Sequence, residues 1–247
     1  MNFLKSLLSR KSNVTEAVKS FVTTDVHSHL IPMLDDGSQS MEETIGLIIG
    51  YKELGFTKLI TTPHVITDNF MNTPDIILAG LDKVRKELKN KEIDMLIEAS
   101  AEYFVDEFLL KRIGEEGLLP FGNNHILIEM STVNYPQIFK DVIFELKLNG
   151  YIPVLAHPER YSFFWNDPKL VHELRDSELL FQVNYLSLSG IYLPALKKMA
   201  EKLIDEGMVD FVGSDVHEIR QLDYLAKSLE SPYMEKLSKL NLLNFTL

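Results

Sequence analysis

The sequence predicts an α/β chain closed into a TIM-like barrel, and two observations carry that expectation. Short β-rich runs alternate with longer helical patterns, which implies parallel strand–helix–strand units. Polar and ionisable residues fall at the carboxyl end of nearly every run. A closed barrel builds its site from many strand ends, whereas an open doubly wound sheet concentrates its site at one switch point. The 247 residues suit one large domain that buries roughly 70–75% of its unfolded surface. No repeat, low-complexity tract or composition break divides them, so one domain is expected over 23–247, preceded by a short extension over 1–22.

The elements follow in order. The extension is basic and places Phe3, Leu4, Leu7 and Leu8 on one helical face. It reads as a short amphipathic helix packed on the domain, with a membrane surface as the alternative contact. The first run, 21–26, ends at His27-Ser28-His29. Ser40-Met41-Glu42-Glu43 reads as a capping box opening a helix that continues to Gly55. The second run, 57–62, ends at Thr61-Thr62-Pro63-His64, and Thr73-Pro74 then caps a second helix. The third run, 93–101, leads to Glu102-Tyr103, and the fourth, 126–128, to Glu129-Met130-Ser131. The fifth, 151–156, leads to His157-Pro158-Glu159-Arg160. The sixth, 179–185, contains Gln182 and Asn184, and the seventh, 209–213, precedes Ser214-Asp215-Val216-His217. Helical patterns at 138–148, 193–204 and 222–229 fill the gaps.

Composition narrows the classes of function. A net charge of −11 argues against unaided binding of a nucleic-acid backbone, which calls for basic patches. The absence of cysteine excludes disulfides, thiolate nucleophiles and cysteine zinc sites. No apolar run approaches the roughly 18–20 residues of a membrane span, and the N-terminus lacks the apolar region and cleavage site of a signal peptide. A cytoplasmic protein with no membrane span and no nucleic-acid partner is the expectation.

Two histidines at i and i+2 share one face of a strand, their Cα atoms roughly 6.5–7 Å apart, so His27 and His29 can converge on one cation. Five of the seven histidines, His27, His29, His64, His157 and His217, follow apolar runs. His125 precedes a run at the opposite rim and His172 lies in a helix, so both read as structural or exposed. Glu102, Glu129, Asp215 and one of Asp35 and Asp36 join the five. So many ionisable groups at one rim would repel or be desolvated at high cost unless metal is bound. Imidazole with carboxylate suits Mn, Fe or Zn, and the number of side chains suits two or three ions. Clustered ions acidify bound water and hold attacking and leaving oxygens, the chemistry of phosphoester hydrolysis. Arg160 supplies a planar cation for a phosphate oxygen, the plainer reading being a salt bridge with Glu159. Asp25 is placed on the histidine face as an orienter of an imidazole. Gln182 and Asn184 either meet a bound group or hydrogen-bond in the core, and Tyr103 and Tyr161 read as packing.

Asp25-Val26-His27-Ser28-His29, Asp35-Asp36-Gly37, Leu155-Ala156-His157-Pro158-Glu159-Arg160-Tyr161 and Gly213-Ser214-Asp215-Val216-His217 together resemble the polymerase-and-histidinol-phosphatase (PHP) superfamily. Within it, the chain looks most like the metal-dependent protein tyrosine phosphatases of bacterial capsule and exopolysaccharide biosynthesis. The resemblance covers about 23–220 and implies a distorted (β/α)7 barrel of the PHP fold with a trinuclear, manganese-type site. It implies that His27, His29, Glu102 and Asp215 hold one metal and that Glu102 bridges to a second completed by Glu129 and His157. Asp36, rather than Asp35, would hold a third with His64 and His217. Arg160 matches the family's phosphate-binding arginine, and Arg220 is the nearest match to a second one. The implied activity is hydrolysis of phosphotyrosine on a protein, such as the tail of a membrane tyrosine kinase that controls polysaccharide export. The alternatives are a small-molecule phosphatase, such as one acting on histidinol phosphate, and a non-catalytic PHP scaffold.

Overall fold

The computed structural model describes Val18, Phe21 and residues 23–115 and 117–247. The helix expected over 1–22 lies outside the described residues except for Val18 and Phe21, which are helical and partly buried against the core. The strand expected over 21–26 begins only at Thr24.

The strands are β1 (Thr24–Asp25), β2 (Lys58–Thr61), β3 (His64–Val65), β4 (Leu96–Ala99), β5 (Glu102–Phe104), β6 (His125–Glu129), β7 (Ile152–Ala156), β8 (Leu180–Asn184) and β9 (Phe211–Gly213). Every ladder among them is parallel, in the orders β1-β2-β4 and β3-β5-β6-β7-β8-β9. The second and third predicted runs hold only β2 and β4, and each resumes after a two-residue break as β3 and β5. Hydrogen bonds carry the pairing across the breaks, from Ser100 N to Thr61 O (2.9 Å) and from Glu102 N to Pro63 O (3.1 Å). The order is therefore that of seven sequential parallel units, an α/β architecture consistent with the expected distorted TIM-like barrel.

No ladder joins the first strand to the last among the described residues. They meet at one parallel bridge, Ser28 to Val216, with Asp215 N donating to His27 O (2.7 Å) and His29 N to Val216 O (3.1 Å). Asn244, buried near the C-terminus, staples the lower part of this seam. Its Oδ1 accepts from Val212 N (2.9 Å), and its Nδ2 donates to Thr24 O (3.0 Å) and Val212 O (2.8 Å).

The helices begin as their caps dictate. Ser40 accepts from Glu43 N (3.1 Å) at the start of Met41–Leu54, but the Glu43 carboxylate reaches Gln39 N (2.9 Å) instead of Ser40 N, so the predicted box closes one residue early. Thr73 caps Pro74–Asn90, with proline in the first turn. The later helices include Phe139–Leu148, Pro194–Asp205 and Gln221–Leu229, each within a residue of its predicted span. No helix of the described residues is long and apolar enough to cross a membrane.

Alternation along the strands divides the core. Ile126, Ile128, Leu155, Phe181, Val183 and Val212 pack outward under the helices. Val26, Ile60, Phe121, Leu127, Val154, Ala156 and Phe211 form a separate apolar cluster, with Leu243 and Leu247 packed against it. This cluster fills the barrel below the strand ends. His125 sits at its lower edge, buried against Phe121 and Phe211. His172 lies on a helix, half exposed. Both histidines are structural or surface residues, as expected.

Asn244→Ala is expected to lower unfolding free energy by about 2–4 kcal/mol, because it leaves a buried N–H and two carbonyls of the seam without partners. A denaturant midpoint unchanged from wild type would show that the seam does not depend on this side chain.

Candidate metal centre

Glu102 is fully buried and is approached from four sides by imidazole. Its Oε2 lies 3.0 Å from His27 Nε2, 3.5 Å from His29 Nε2 and 3.1 Å from His64 Nδ1. His157 Nε2 lies 3.0 Å from its other oxygen. Asp215 Oδ1 lies 3.2 Å from His27 Nε2 and 3.3 Å from His29 Nε2. Glu129 Oε1 lies 3.0 Å from His64 Nδ1. At the mouth, Asp36 Oδ1 is 3.5 Å from both His64 Nε2 and His217 Nε2.

Among the described residues, the ligand-type atoms fall into three convergent groups. The first is His27, His29, Glu102 and Asp215; the second is His64, Glu102 and Glu129; the third is His29, Asp36, His64 and His217. The first and third contain the residues the resemblance assigned to two of the metals. In the second, His64 occupies the place given to His157, although His157 Nε2 stands 3.8 Å from Glu129 Oε2. All nine predicted side chains are thus brought together.

The chemistry of these donors fits cations. His29 Nε2 and His64 Nδ1 are buried without a hydrogen-bond partner, although each faces carboxylate oxygens. Native interiors rarely leave such atoms orphaned. Burial alone would lower the His64 imidazole, but Glu102, Glu129 and Asp35 outweigh it and lift it to about 10. Burial also opposes the charge on His27, yet Glu102 and Asp215 raise it well above its ordinary value. Despite burial, Glu102 is held well below the usual carboxylate range, chiefly by His27 and His64. The carboxylates that raise His27 and His64 would attract a bound cation in the same way.

Outer hydrogen bonds fix the imidazole orientations. His27 Nδ1 donates to Gln182 Oε1 (2.7 Å), Gln182 Nε2 to Asn184 Oδ1 (2.7 Å), and Asn184 Nδ2 to Asp215 Oδ2 (3.1 Å). Gln182 and Asn184 are thus the core hydrogen-bonding pair. His29 Nδ1 donates to Asp35 Oδ2 (2.7 Å), which also accepts from His64 N (2.9 Å), while Asp35 Oδ1 accepts from Gly37 N (3.0 Å). Burial would raise Asp35, but His29 and these N–H groups bring it to about 2. A Cβ on Gly37 would stand 2.4 Å from His29 Cβ, so only glycine lets the loop close on the histidine.

Asp25 does not orient an imidazole, contrary to expectation. Its carboxylate accepts from Ser214 N (2.7 Å) and Ser214 Oγ (2.8 Å), and Tyr51 OH reaches the same serine. Alternation fails at Val26 and His27, which both turn inward once β1 ends at Asp25, so Asp25 faces the helix layer. Burial pushes Asp25 up to about 7 against the Ser214 hydrogen bonds. The anchored Ser214 precedes Asp215, which has a left-handed backbone (φ 57), as does His157 (φ 35). Non-glycine residues in this region cost roughly 1–2 kcal/mol and cluster at functional sites.

A cleft of about 570 Å³ opens over the cluster, lined by Asp36, His64, Glu129, His157, Arg160, Tyr192, Asp215, His217, Glu218 and Gln221. The 3-10 turn Pro158–Arg160 carries Arg160 back over the strand ends, where it pairs with Asp215 and not with Glu159. Glu159 points elsewhere, accepting from Asn184 N (3.0 Å) and Ser187 Oγ (2.6 Å). Arg220 is exposed, pairs with Glu218, and is absent from the cleft lining. Tyr103 and Tyr161 are buried in packing. Sequence reasoning missed Tyr192, Glu218 and Gln221, none of which ends a strand. Gln221 Oε1 accepts from His217 N (2.6 Å) and Glu218 N (3.1 Å), fixing the loop that bears His217.

A family model described as capsular polysaccharide synthesis, CpsB/CapC, matches residues 23–241. The tyrosine-protein phosphatase YwqE of Bacillus subtilis (strain 168) is 27% identical over 201 residues, covering 81% of this chain and 79% of that protein. A solved chain from the structures of YwqE from Bacillus subtilis and CpsB from Streptococcus pneumoniae, "unique metal-dependent tyrosine phosphatases", aligns with a TM-score of 0.81 at 26% identity, covering 91% of each chain. The histidinol phosphate phosphatase of Lactococcus lactis shares the fold, with a TM-score of 0.53 at 11% identity, covering 89% of this chain and 94% of that one.

Asp35→Ala is expected to weaken retention of divalent metal by about 10- to 100-fold, as loss of an imidazole orienter does. Competition with a chelator measures it, and wild-type retention would show that His29 needs no anchor.

Proposed function

The chain belongs to the capsular polysaccharide synthesis CpsB/CapC family, and from that premise we propose that it is a metal-dependent phosphatase acting on phosphotyrosine in protein. The observation that carries this reading is the Glu102-centred cluster, whose oxygens and imidazoles face a cleft walled by the Arg160 guanidinium. The names of the relatives support the substrate. A tyrosine-bearing tail of a membrane kinase is the protein we assign to it, in the cytoplasm.

His27, His29, Glu102 and Asp215 would hold one ion, Glu102, Glu129 and His157 a second with His64 adjoining, and Asp36, His64 and His217 a third. Manganese is the metal we assign, with iron and zinc suited to the same donors. When bound, the metals acidify water and neutralise charge on the phosphoryl oxygens. The protein does the rest. Arg160 offers a planar pair of N–H donors to equatorial phosphoryl oxygens and stabilises charge where it develops. Asp35 and Gln182 hold the histidine rings so that one nitrogen of each faces the cluster. The leaving phenolate, with a pKa near 10, needs less protonation than an alkoxide would. Attack by water on phosphorus forms no covalent phosphoenzyme, in agreement with the lack of cysteine.

His27→Ala is expected to lose both bound metal and turnover, whereas Arg160→Ala keeps its metal and loses about 100-fold or more in kcat, as removal of one oxyanion donor does. Metal analysis alongside a manganese-supplemented phosphotyrosine-peptide assay measures both. A clear preference of the wild type for histidinol phosphate over the peptide would replace this reading with a small-molecule phosphatase. Wild-type protein that neither holds metal nor hydrolyses either substrate would make it a scaffold.

A further inference from the structure

Tyr192 is the one phenol among the cleft-lining side chains of the described residues. It is carried on a braced loop. Gly190 turns the chain at φ 76, Ser189 Oγ accepts from Ile191 N (3.1 Å), and Pro194 starts the helix Pro194–Asp205 directly afterwards. The loop sets the Tyr192 ring 5.3 Å from the Arg160 guanidinium carbon. Ile191 and Leu193 on either side are exposed, at 39% and 64%, so the chain presents apolar surface beside the phosphate-binding cation.

We propose that Tyr192 is a specificity-determining residue that selects aryl over non-aromatic phosphoryl substrates. This assignment rests on the phosphatase reading above. Besides Tyr192 the cleft is lined by Arg160, by carboxylates, by imidazoles assigned to metal and by the Gln221 amide, so among the described residues Tyr192 is its one benzenoid ring. A phosphoryl group held at Arg160 puts its ester substituent within reach of the ring stacked on that same guanidinium. Aromatic rings prefer offset or edge contacts at centroid separations of about 4.5–7 Å, and a phenyl ester can make one with Tyr192. A small acyl or alkyl substituent cannot. The ring would therefore act on the substrate's leaving group, while Arg160 acts on its phosphoryl oxygens.

The test uses the full chain loaded with manganese, as wild type, Tyr192→Phe and Tyr192→Leu, on a phosphotyrosine peptide and on acetyl phosphate. Comparing each variant with wild type on one substrate cancels the difference in intrinsic reactivity. Tyr192→Leu is expected to raise KM for the peptide about 3- to 10-fold, the size of one aromatic contact, with kcat/KM on acetyl phosphate within about twofold of wild type. Tyr192→Phe keeps the ring but loses the hydroxyl that reaches Arg160 and Gln221, so it should keep the wild-type ratio of kcat/KM between the two substrates; a ratio shifted as in Tyr192→Leu would overturn the assignment. Equal losses on both substrates in Tyr192→Leu would overturn the assignment, because the ring would then act only by holding Arg160. Unchanged peptide kinetics in that variant would overturn it as well. Wild-type enzyme inactive on both substrates with metal bound would overturn the phosphatase reading itself, and this assignment with it.

Discussion

A single buried carboxylate governs the architecture of the upper barrel. Glu102 has no access to water and faces four imidazoles from three other strand ends. An isolated carboxylate in such a place would be strongly destabilised, so its neighbours must be positive or coordinate something positive. The backbone is bent to serve that requirement. The second and third strands break just before His64 and Glu102. The first strand abandons its alternation so that His27 turns inward, and Gly213 makes room, since a Cβ there would stand 2.6 Å from His27 Cβ. The regular ladders below carry the weight of the fold, and the irregular strand ends carry the cluster.

The apolar plug makes that division workable. Alternation along β6 sends His125, Leu127 and Glu129 into the barrel, so one strand contributes to the lower edge, the plug and the cluster in turn. The plug keeps water from the lower side of the charges, and the low dielectric strengthens their mutual attraction. The left-handed backbones at His157 and Asp215 persist because hydrogen bonds on either side over-determine them, from Arg160 N to His157 O (2.9 Å) and from Asp215 N to His27 O (2.7 Å).

Much of this was legible in the chain. A histidine or acid closing an apolar run is visible without coordinates, and eight of the nine candidate ligands were visible that way; Asp36 was chosen over Asp35 by the resemblance alone. The roles of the two outer aspartates were not legible. Asp25 was read through a period of two, but β1 ends at Asp25 itself. Asp35 was passed over for Asp36 as a ligand, yet the loop folds it onto His29 while Asp36 lies at the exposed mouth. Side-chain direction inside an irregular loop has no period from which to read it. Tyr192 was invisible for a related reason: it follows the short helix Tyr185–Leu188 and reaches the cleft only through packing. Glu218 and Gln221 lie in the strand-end loop beyond His217, where no period tells which side chains turn to the cleft. Arg220 was matched to a second family arginine by the resemblance; its guanidinium is exposed, pairs with Glu218 and does not line the cleft.

The seam between the first and last strands has a consequence for how the molecule is held shut. His27 and His29 lie on one side of it and Asp215 and His217 on the other, and the two sides belong to opposite ends of the chain; the Ser214–His27 contact alone spans 187 residues. A cation gripped by His27, His29 and Asp215 would tie those ends together as a cross-link does, at the place where backbone pairing is thinnest. Occupancy would then be coupled to the integrity of the whole ring by mass action. The same ions that serve the chemistry would also act as its clasp.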